Sequence, residues 1–190
     1  PTVGGWGACK GHDGQVGLFC VGDGETYNVP VEMAETRYGI RVDEHSLHTD
    51  GAGAGEYRGG SGAVRVYRSM NENHTFTASF GRNKWPVWGA AGGKDGSVNY
   101  FQFIDADGTV SEPMGIAARR VMNTNDVVRM VTATGGGYGN PFKRPAEKVA
   151  MDVKNEYITV EQAKADYGVL VDPETFKVLG LTEERQKAEK

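Results

Sequence analysis

The stretch DGAGAGEYRGGSGAVRVYR, residues Asp50–Arg68, joins a glycine-dense loop directly to an alternating strand. Six of its first thirteen residues are glycine, which lets the backbone take positive φ angles and approach another group closely. Surface turns also collect glycine, so a glycine-rich run alone is weak evidence for a ligand site. The Tyr57-Arg58 pair between the glycines distinguishes this loop and favours a specialised structure over a linker.

Composition indicates a turn-rich β protein. Glycine accounts for 28 of 190 residues, about twice its usual share, and the 7 prolines are fewer than usual. The net charge of −4, without a basic cluster, argues against nucleic-acid binding. The start PTVGGWGACK lacks the features of a signal peptide, and no apolar run has the length of a membrane span. We therefore expect a cytoplasmic protein.

Hydrophobic periodicity predicts an α+β fold that is mainly β. A glycine-rich antiparallel β region over residues 1–140 is followed by a short helical region over 141–190 packed on it. Two hairpins are predicted, one from residues 63–68 and 75–82, the other from residues 98–104 with the turn 105–108. Further strands are predicted at 14–21, 37–42, 127–131 and 169–171.

Helix signals begin after Pro141. One helix is predicted within 144–155, where an apolar stripe is formed by Ala146, Val149, Ala150 and Val153. Thr159 and Gln162 form a capping box ahead of a second helix, and Gly168 supplies its left-handed stop. The charged tail 182–190 is predicted to be an exposed helix or to fray, because its latter half has no apolar stripe.

Two pairs of polar residues are candidates for acid–base chemistry. Glu32 and Glu35 are three positions apart, so a helical turn places both carboxylates on one face, although they could equally form a solvated face. His12 and Asp13 could be metal ligands or a base with its orienting acid. We favour the simpler interpretation of Asp13-Gly14 as a turn dipeptide.

His45, His48 and Asp50 in EHSLHTD could hold a divalent metal, since imidazole and carboxylate suit zinc, iron or manganese. In an extended segment, however, His45 and His48 point to opposite faces, which argues against convergence on one ion. Cys9 and Cys20 have no CxxC neighbour, and we expect both to be ordinary buried or half-buried side chains.

Two other glycine-rich stretches are candidate ligand sites. Trp85 and Trp88 precede the loop GAAGGKDGS; these indoles could line a ligand pocket, but we expect them to pack over the glycine turn. The run GGGYG at 135–139 lacks the lysine and Ser/Thr of a P-loop and the GxGxxG spacing of a dinucleotide fold. Nucleotide binding by this chain is therefore not expected.

Four stretches carry a family resemblance: GGWGA at 4–8, NVPVEMAETRYGI at 28–40, DGAGAGEYRGGSGAVR at 50–65, and GGGYGNPFKRPAEKVAMDVKNEYITVEQAKADYGVLVD at 135–172. Together they resemble the C-terminal part of the B-type subunit of the hydantoinase B/oxoprolinase family. That family includes the related large subunits of ATP-dependent acetone and acetophenone carboxylases. The stretches span nearly the whole chain, and the order of the glycine loop, GGGYG and DYGV makes the combination specific.

The resemblance implies an ATP-dependent enzyme with an A-type subunit that binds nucleotide and a B-type subunit that holds a metal. Such an enzyme hydrolyses a cyclic amide (hydantoin, oxoproline or lactam) after carbonyl phosphorylation by the partner subunit, or it carboxylates a ketone. A full B-type subunit is several times longer than this chain. We therefore expect a component that is inactive alone, with ATP and the divalent metal bound elsewhere in the complex.

Within such an assembly, Arg58 is our candidate for contact with an anionic intermediate, and Glu32 or Glu35 for orienting another group. A glycine loop and an arginine suit a pocket that aims donors at developing negative charge. The other pocket candidates are Tyr57, Gly59, Gly60 and Asn28. Two alternatives stay open: a non-catalytic assembly module that braces a partner, and a stand-alone β domain that binds a small molecule.

Overall fold

The computed structural model describes residues 4–17 and 29–188. The strands in these ranges are β1 (Ile40–His48), β2 (Gly62–Ser69), β3 (His74–Ser79), β4 (Tyr100–Ile104), β5 (Ile116–Met122), β6 (Val127–Val131), β7 (Val169–Val171) and β8 (Val178–Leu181). The helices are α1 (Val31–Tyr38), α2 (Ala146–Lys154), α3 (Val160–Tyr167) and α4 (Glu183–Ala188), with a 3₁₀ turn at Pro141–Lys143. None of these helices has the length and apolar character needed to cross a membrane.

The strands form antiparallel sheets, as the mainly-β prediction requires. The largest has four strands in the order β1-β2-β6-β4, while β3 pairs with β5 and β7 pairs with β8. Strand β6 matches the predicted 127–131, and β7 the predicted 169–171. Most of the strand predicted at 14–21 lies outside the described residues.

The predicted hairpin of residues 63–68 with 75–82 is wrong. Strand β2 pairs with β1 and β6 instead, and β3 leaves that sheet to pair with β5. The turn at 105–108 does fold back along β4, with bridges from Ile104 to Val110 and from Phe101 to Met114, while the continuous partner of β4 is β6. The strand predicted from Arg37 begins at Ile40, because Gly39 ends α1 with a left-handed φ of 59°.

Two apolar clusters stabilise the described part of the chain. One lies between β4, β6 and the β3–β5 pair, where the ring of Phe76 meets those of Phe101 and Phe103 edge-on at 5.4 Å. The other joins α2, α3 and β7, and it includes Ala54 of the glycine loop. Because one side chain of the loop belongs to the helical cluster, the helices pack directly on the glycine-rich region.

Glycine-rich segments from distant parts of the chain lie against one another around residues 135–139. The Gly135 N–H donates to the carbonyl of Gly60 at 2.8 Å, and its carbonyl accepts from Gly53 at 2.9 Å. A Cβ on Gly59 would collide with the Gly135 carbonyl, so the two backbones can approach only without a side chain. The glycines therefore admit another backbone, and in this structure that backbone belongs to the same chain.

The helical region follows the predicted signals closely. Helix α2 lies within the predicted 144–155, and α3 begins with the Thr159–Gln162 capping box and ends at Gly168, whose φ is 64°. The tail forms the predicted exposed helix, except that α4 buries Arg185 to 4% exposure. Apolar periodicity missed this contact because the buried group is a cation bonded to backbone carbonyls.

We expect Gly59→Ala to destabilise the fold strongly, by about 3 kcal/mol or more, since the added methyl group meets a backbone carbonyl rather than a movable side chain. Gly180→Ala is the matched control, because a Cβ there meets nothing within 4 Å. Urea denaturation gives the free energy of unfolding of both variants. Equal stability of the two would contradict the close packing described above.

Candidate functional site

Arg144 is the centre of a buried ion-pair network that joins three parts of the chain. Its side chain is 2% exposed, and Nη1 and Nη2 donate to the two carboxylate oxygens of Asp13 at 2.7 and 2.9 Å. Nε donates to Asp152 of α2 at 2.9 Å, and Nη1 also donates to the Glu56 carbonyl at 3.0 Å. One guanidinium thus ties the N-terminal segment, the glycine loop and the first C-terminal helix together.

Local structure explains how Asp13 reaches this position. It follows the two-residue turn Lys10-Gly11, which the bridge between Cys9 and His12 closes, and its carboxylate also accepts from the Arg58 backbone N–H at 2.7 Å. The Gly14 N–H donates back to the Arg58 carbonyl at 2.7 Å. The predicted Asp13-Gly14 turn is therefore wrong, because both residues lie in irregular backbone bonded to Arg58. The Asp13 carboxylate instead binds an arginine 131 positions away, with two hydrogen bonds in a bidentate arrangement.

Arg58, the sequence candidate for contact with an anionic intermediate, is 5% exposed and points into the same network. Its Nη1 donates to the Gly59 carbonyl at 2.7 Å, and its Nε is 3.6 Å from Asp152. The guanidinium carbon lies 4.4 Å from the centre of the Tyr157 ring. These contacts give Arg58 a structural role, and its contact with an intermediate stays a prediction.

The network perturbs the titration of its members. Burial acts to raise the pKa of Asp13, but the hydrogen bonds and charge of Arg144 outweigh it and hold that pKa below its usual value. Burial raises the pKa of Asp152 in spite of the nearby Arg144 and Arg58. Burial also raises the pKa of Tyr167, whose hydroxyl has no hydrogen-bond partner among the described residues. Tyr167 is therefore neutral at physiological pH.

Sequence reasoning missed the residues that complete this network. Arg185 donates to the carbonyls of Tyr167 at 2.9 Å and Arg144 at 2.8 Å, which fixes the tail on the helical region. Asp152 has the spacing of an exposed position beside an apolar stripe, and Arg144 looks like a surface cation ahead of a helix. A pattern within one element carries no signal for an ion pair between elements.

The predicted pocket residues on the glycine loop use their backbone groups internally. The Gly59 N–H donates to Gly53 at 2.9 Å, and the Gly60 N–H donates to Trp6 at 2.9 Å. Tyr57 exchanges two backbone hydrogen bonds with Tyr138, at 3.0 and 2.9 Å. These N–H groups are thus engaged within the chain. Asn28, the remaining candidate of this set, lies outside the described residues.

The two candidate carboxylates lie on α1, as the helical interpretation predicted. Glu35 accepts a hydrogen bond from the Val42 N–H at 2.9 Å, which attaches the helix to β1, whereas Glu32 is exposed in the first turn. Glu35 therefore binds the neighbouring strand and is not part of the Arg144 network. Its role in orienting a reacting group stays a prediction.

The metal candidates do not converge. His45 accepts from Arg65 at 3.3 Å, and His48 donates from Nδ1 to the Thr132 carbonyl at 2.9 Å, so the two imidazoles have different partners. They lie three positions apart on β1 and face opposite sides, as predicted, while Asp50 follows in an exposed turn. Within residues 4–17 and 29–188, no three His, Cys, Asp or Glu side chains lie close enough together to hold a metal ion, so this donor set does not fit a divalent metal.

Three expectations about burial are wrong. Cys9 is exposed, whereas Cys20 lies outside the described residues. Trp85 and Trp88 do not pack over the glycine turn but remain 78% and 68% exposed. The guanidinium of Arg82 stacks 4.8 Å from the ring centre of Trp88, which places a cation on an exposed indole.

The cavities among the described residues include two beside the sheets. One, of about 490 Å³, is lined in part by Trp6, Phe80 and Asn99 beside the glycine-rich segments. The other, which we call the apolar cleft, has a volume of about 330 Å³ and lies next to the aromatic cluster. The side chains lining the apolar cleft include Tyr38, Tyr67, His74, Phe76, Met122 and Met130.

Arg144→Ala should destabilise the protein by about 3–5 kcal/mol, because it leaves the partly buried Asp13 and the buried Asp152 without their cation. Lys187→Ala, which removes an ion pair with both partners exposed, should leave the midpoint of unfolding unchanged. Thermal or urea denaturation measures both effects. A loss of less than about 1 kcal/mol for Arg144→Ala would mean that the network does not hold the segments together.

Asp13→Asn should reduce stability at neutral pH, and the difference from the wild type should shrink on acidification. The pKa of Asp13 is lowered on folding, so its charge stabilises the folded state above the ordinary value of 3.8, and this contribution disappears as the pH falls through the folded-state pKa. Urea denaturation from about pH 7 to about pH 2 tests this. A difference that stays constant over that range would exclude the charge as its source.

Comparisons with known proteins agree with this fold. A model of the hydantoinase B/oxoprolinase family matches residues 1–141. The chain is 31% identical over 169 residues to a Pseudomonas sp. (strain NS671) protein provisionally named as the B-type subunit of a D-/L-hydantoinase, covering 87% of this chain and 28% of that protein. It is 30% identical over 189 residues to the caprolactamase beta chain of Pseudomonas jessenii, covering 90% of this chain and 30% of that one.

Solved structures contain the same fold as part of longer chains. The crystal structure of the ATP-dependent caprolactamase from Pseudomonas jessenii superposes with a TM-score of 0.72 at 26% identity, covering 98% of this chain and 32% of that chain. Nucleotide-free acetone carboxylase gives a TM-score of 0.76 at 18% identity, covering 97% and 29%, which shows the fold alone. The chain thus spans less than a third of the length of each of these proteins. With the family model matching most of its length, the chain belongs to the hydantoinase B/oxoprolinase family.

Proposed function

We propose that the chain is a component of an ATP-dependent, multi-subunit enzyme of the hydantoinase/oxoprolinase type. The reaction is hydrolysis of a cyclic amide (hydantoin, oxoproline or lactam) after a partner subunit phosphorylates the carbonyl. The observation that carries this proposal is the similarity to the caprolactamase beta chain, 30% identity across 90% of the present chain. The shared fold with the ATP-dependent caprolactamase structure supports it further.

The partners in this proposal are an A-type subunit that binds ATP and the remaining part of the B-type subunit. ATP and the divalent metal bind elsewhere in the complex, and the chain is inactive alone. Its contribution is a rigid scaffold that completes the pocket, which the packed glycine segments and the Arg144 network support. Arg58 and the rest of the Tyr57–Gly60 loop belong to this scaffold and would determine the shape of the pocket wall.

A ketone carboxylase is the second candidate reaction. It is kept as an alternative because the fold is shared with acetone carboxylase as well as with the caprolactamase. The two reactions begin with the same step, ATP-dependent activation of a carbonyl oxygen, and differ in what the activated species meets. In a hydrolase the activated species reacts with water, whereas in a carboxylase it reacts with an activated form of carbon dioxide.

Reconstitution of the chain with the A-type subunit and the rest of the B-type subunit separates these possibilities. We expect ADP release that depends on a hydantoin, oxoproline or caprolactam, with the ring-opened product detected by mass spectrometry. Omission of this chain should abolish turnover. ADP release coupled to carboxylation of acetone with bicarbonate would favour the carboxylase, and turnover that is unaffected by omitting the chain would refute the proposal.

Arg58→Lys in the same reconstituted complex tests the assembly-module alternative. A role restricted to bracing predicts loss of complex formation in proportion to loss of stability, with unchanged turnover per assembled complex. A pocket role predicts normal assembly with turnover reduced at least tenfold. Arg120→Lys is the control, because Arg120 forms an exposed ion pair with Asp105. Unchanged assembly and turnover in both variants would remove Arg58 from consideration.

A further inference from the structure

Helix α1 is held by very little of the described chain. Isolated helices shorter than about 12–15 residues are marginal in water, and most helical stability in proteins comes from packing of an apolar face. Helix α1 has eight residues, none of them buried, and its N-terminus lacks a side-chain cap. A hydrogen bond from the Val42 N–H to Glu35 attaches it to β1. A helix in this condition needs cover from another surface.

The residues around α1 supply an apolar surface for such cover. Val31, Met33 and Tyr38 keep 38%, 41% and 56% of their surface exposed. Met70 adds a side chain that is 43% exposed, and its backbone N–H donates to the Gly39 carbonyl directly after the helix. Tyr38 also lines the apolar cleft, so the helix and the cleft are continuous. We call these four residues together with the apolar cleft the α1 surface.

Three polar residues at the apolar cleft, Arg68, Ser69 and His74, already have partners within the chain. The Ser69 hydroxyl donates to the Asn71 carbonyl at 2.7 Å and contacts His74 Nδ1 at 2.9 Å. Arg68 binds Asp43 at 2.6 Å and the Asn125 carbonyl at 3.2 Å. Small-molecule sites orient their ligand with a few convergent polar groups, and Arg68, Ser69 and His74 at this cleft already bind other groups of the chain. The surface therefore offers mainly apolar contact.

We infer that the α1 surface is the docking face for the remaining part of the B-type subunit, which buries α1 and inserts apolar side chains into the cleft. The same fold forms only 32% of the solved caprolactamase chain and 30% of the caprolactamase beta chain, so the larger part of such a subunit must pack against it somewhere. The inference rests on the proposed assembly, but not on the proposed reaction.

The exposed tryptophans are a weaker candidate for the same role. Their loop is held by its own hydrogen bonds, with the Gly89 N–H donating to Asp95 at 2.8 Å and the Gly96 N–H to the Val87 carbonyl at 2.8 Å. Trp88 already carries the Arg82 guanidinium on its ring. This loop is thus held by contacts of its own and already carries a cation on its exposed indole, whereas no residue of α1 is buried.

Photo-crosslinking identifies the occupant directly. The photoreactive residue p-benzoylphenylalanine replaces Tyr38 in the chain, which is co-produced with the A-type subunit and the remaining part of the B-type subunit. We expect a crosslink to the remaining part of the B-type subunit. A crosslink to the A-type subunit, a crosslink to a second copy of this chain, or the absence of any crosslink would each overturn the inference. The control position is Leu179 on β8, which is 67% exposed and should give at least tenfold less of this product.

Charge substitution tests the same surface by affinity. The double variant Val31→Glu with Met33→Glu should weaken binding of the remaining part of the B-type subunit at least tenfold, and Leu179→Glu should leave it unchanged. Unaltered binding by the double variant, with its unfolding midpoint unaltered, would also overturn the inference. Neither readout requires turnover. Assembly that depends on the α1 surface but shows no ATP-dependent activity would leave this inference standing while refuting the proposed reaction. ATP-dependent activity in a complex whose assembly does not depend on the α1 surface would refute only the docking face.

Discussion

The close approach of glycine-rich backbones around residues 135–139 is the constraint on which the rest of the structure depends. Hydrogen bonds join this segment to residues near the N-terminus, to the loop after β1 and to the loop that carries Trp88. Each of these segments is irregular, so its N–H and C=O groups need partners outside a regular sheet. Stacking the segments satisfies those groups, and glycine at the contacts is what permits the required separation.

Ion pairs of Arg144 hold together the segments that the glycine contacts bring close. Arg144 stands where the glycine-rich part gives way to the helices, and it binds carboxylates from both sides. A buried ion pair contributes little net stability against an apolar replacement, but breaking it is costly, so it favours one arrangement over others. The network therefore defines how α2 sits on the loop at Arg58. The Arg58 side chain of that loop consequently points into the protein interior.

One side of the structure has a closed apolar cluster and another has exposed apolar surface, which is consistent with membership of a family of much longer proteins. The side with α2, α3 and β7 has a closed apolar cluster and a buried tail anchor in Arg185. The side with α1 has an open apolar cleft and a helix without burial. The chain spans less than a third of the length of these relatives, and in the proposed assembly the side with α1 is the one that the rest of the subunit covers.

The sequence by itself determined the local elements: the α3 capping box, the Gly168 stop, the β6 strand and the glycine content of the loop at Asp50–Gly62. These depend on spacing within a few residues, which a single sequence records. Its motifs also carried the family. Tertiary structure alone decided that β2 and β3 belong to different sheets, that the glycine N–H groups donate to carbonyls of the same chain, and that Asp13 binds Arg144. Those contacts join residues distant in the chain, and periodicity holds no information about which distant partners meet.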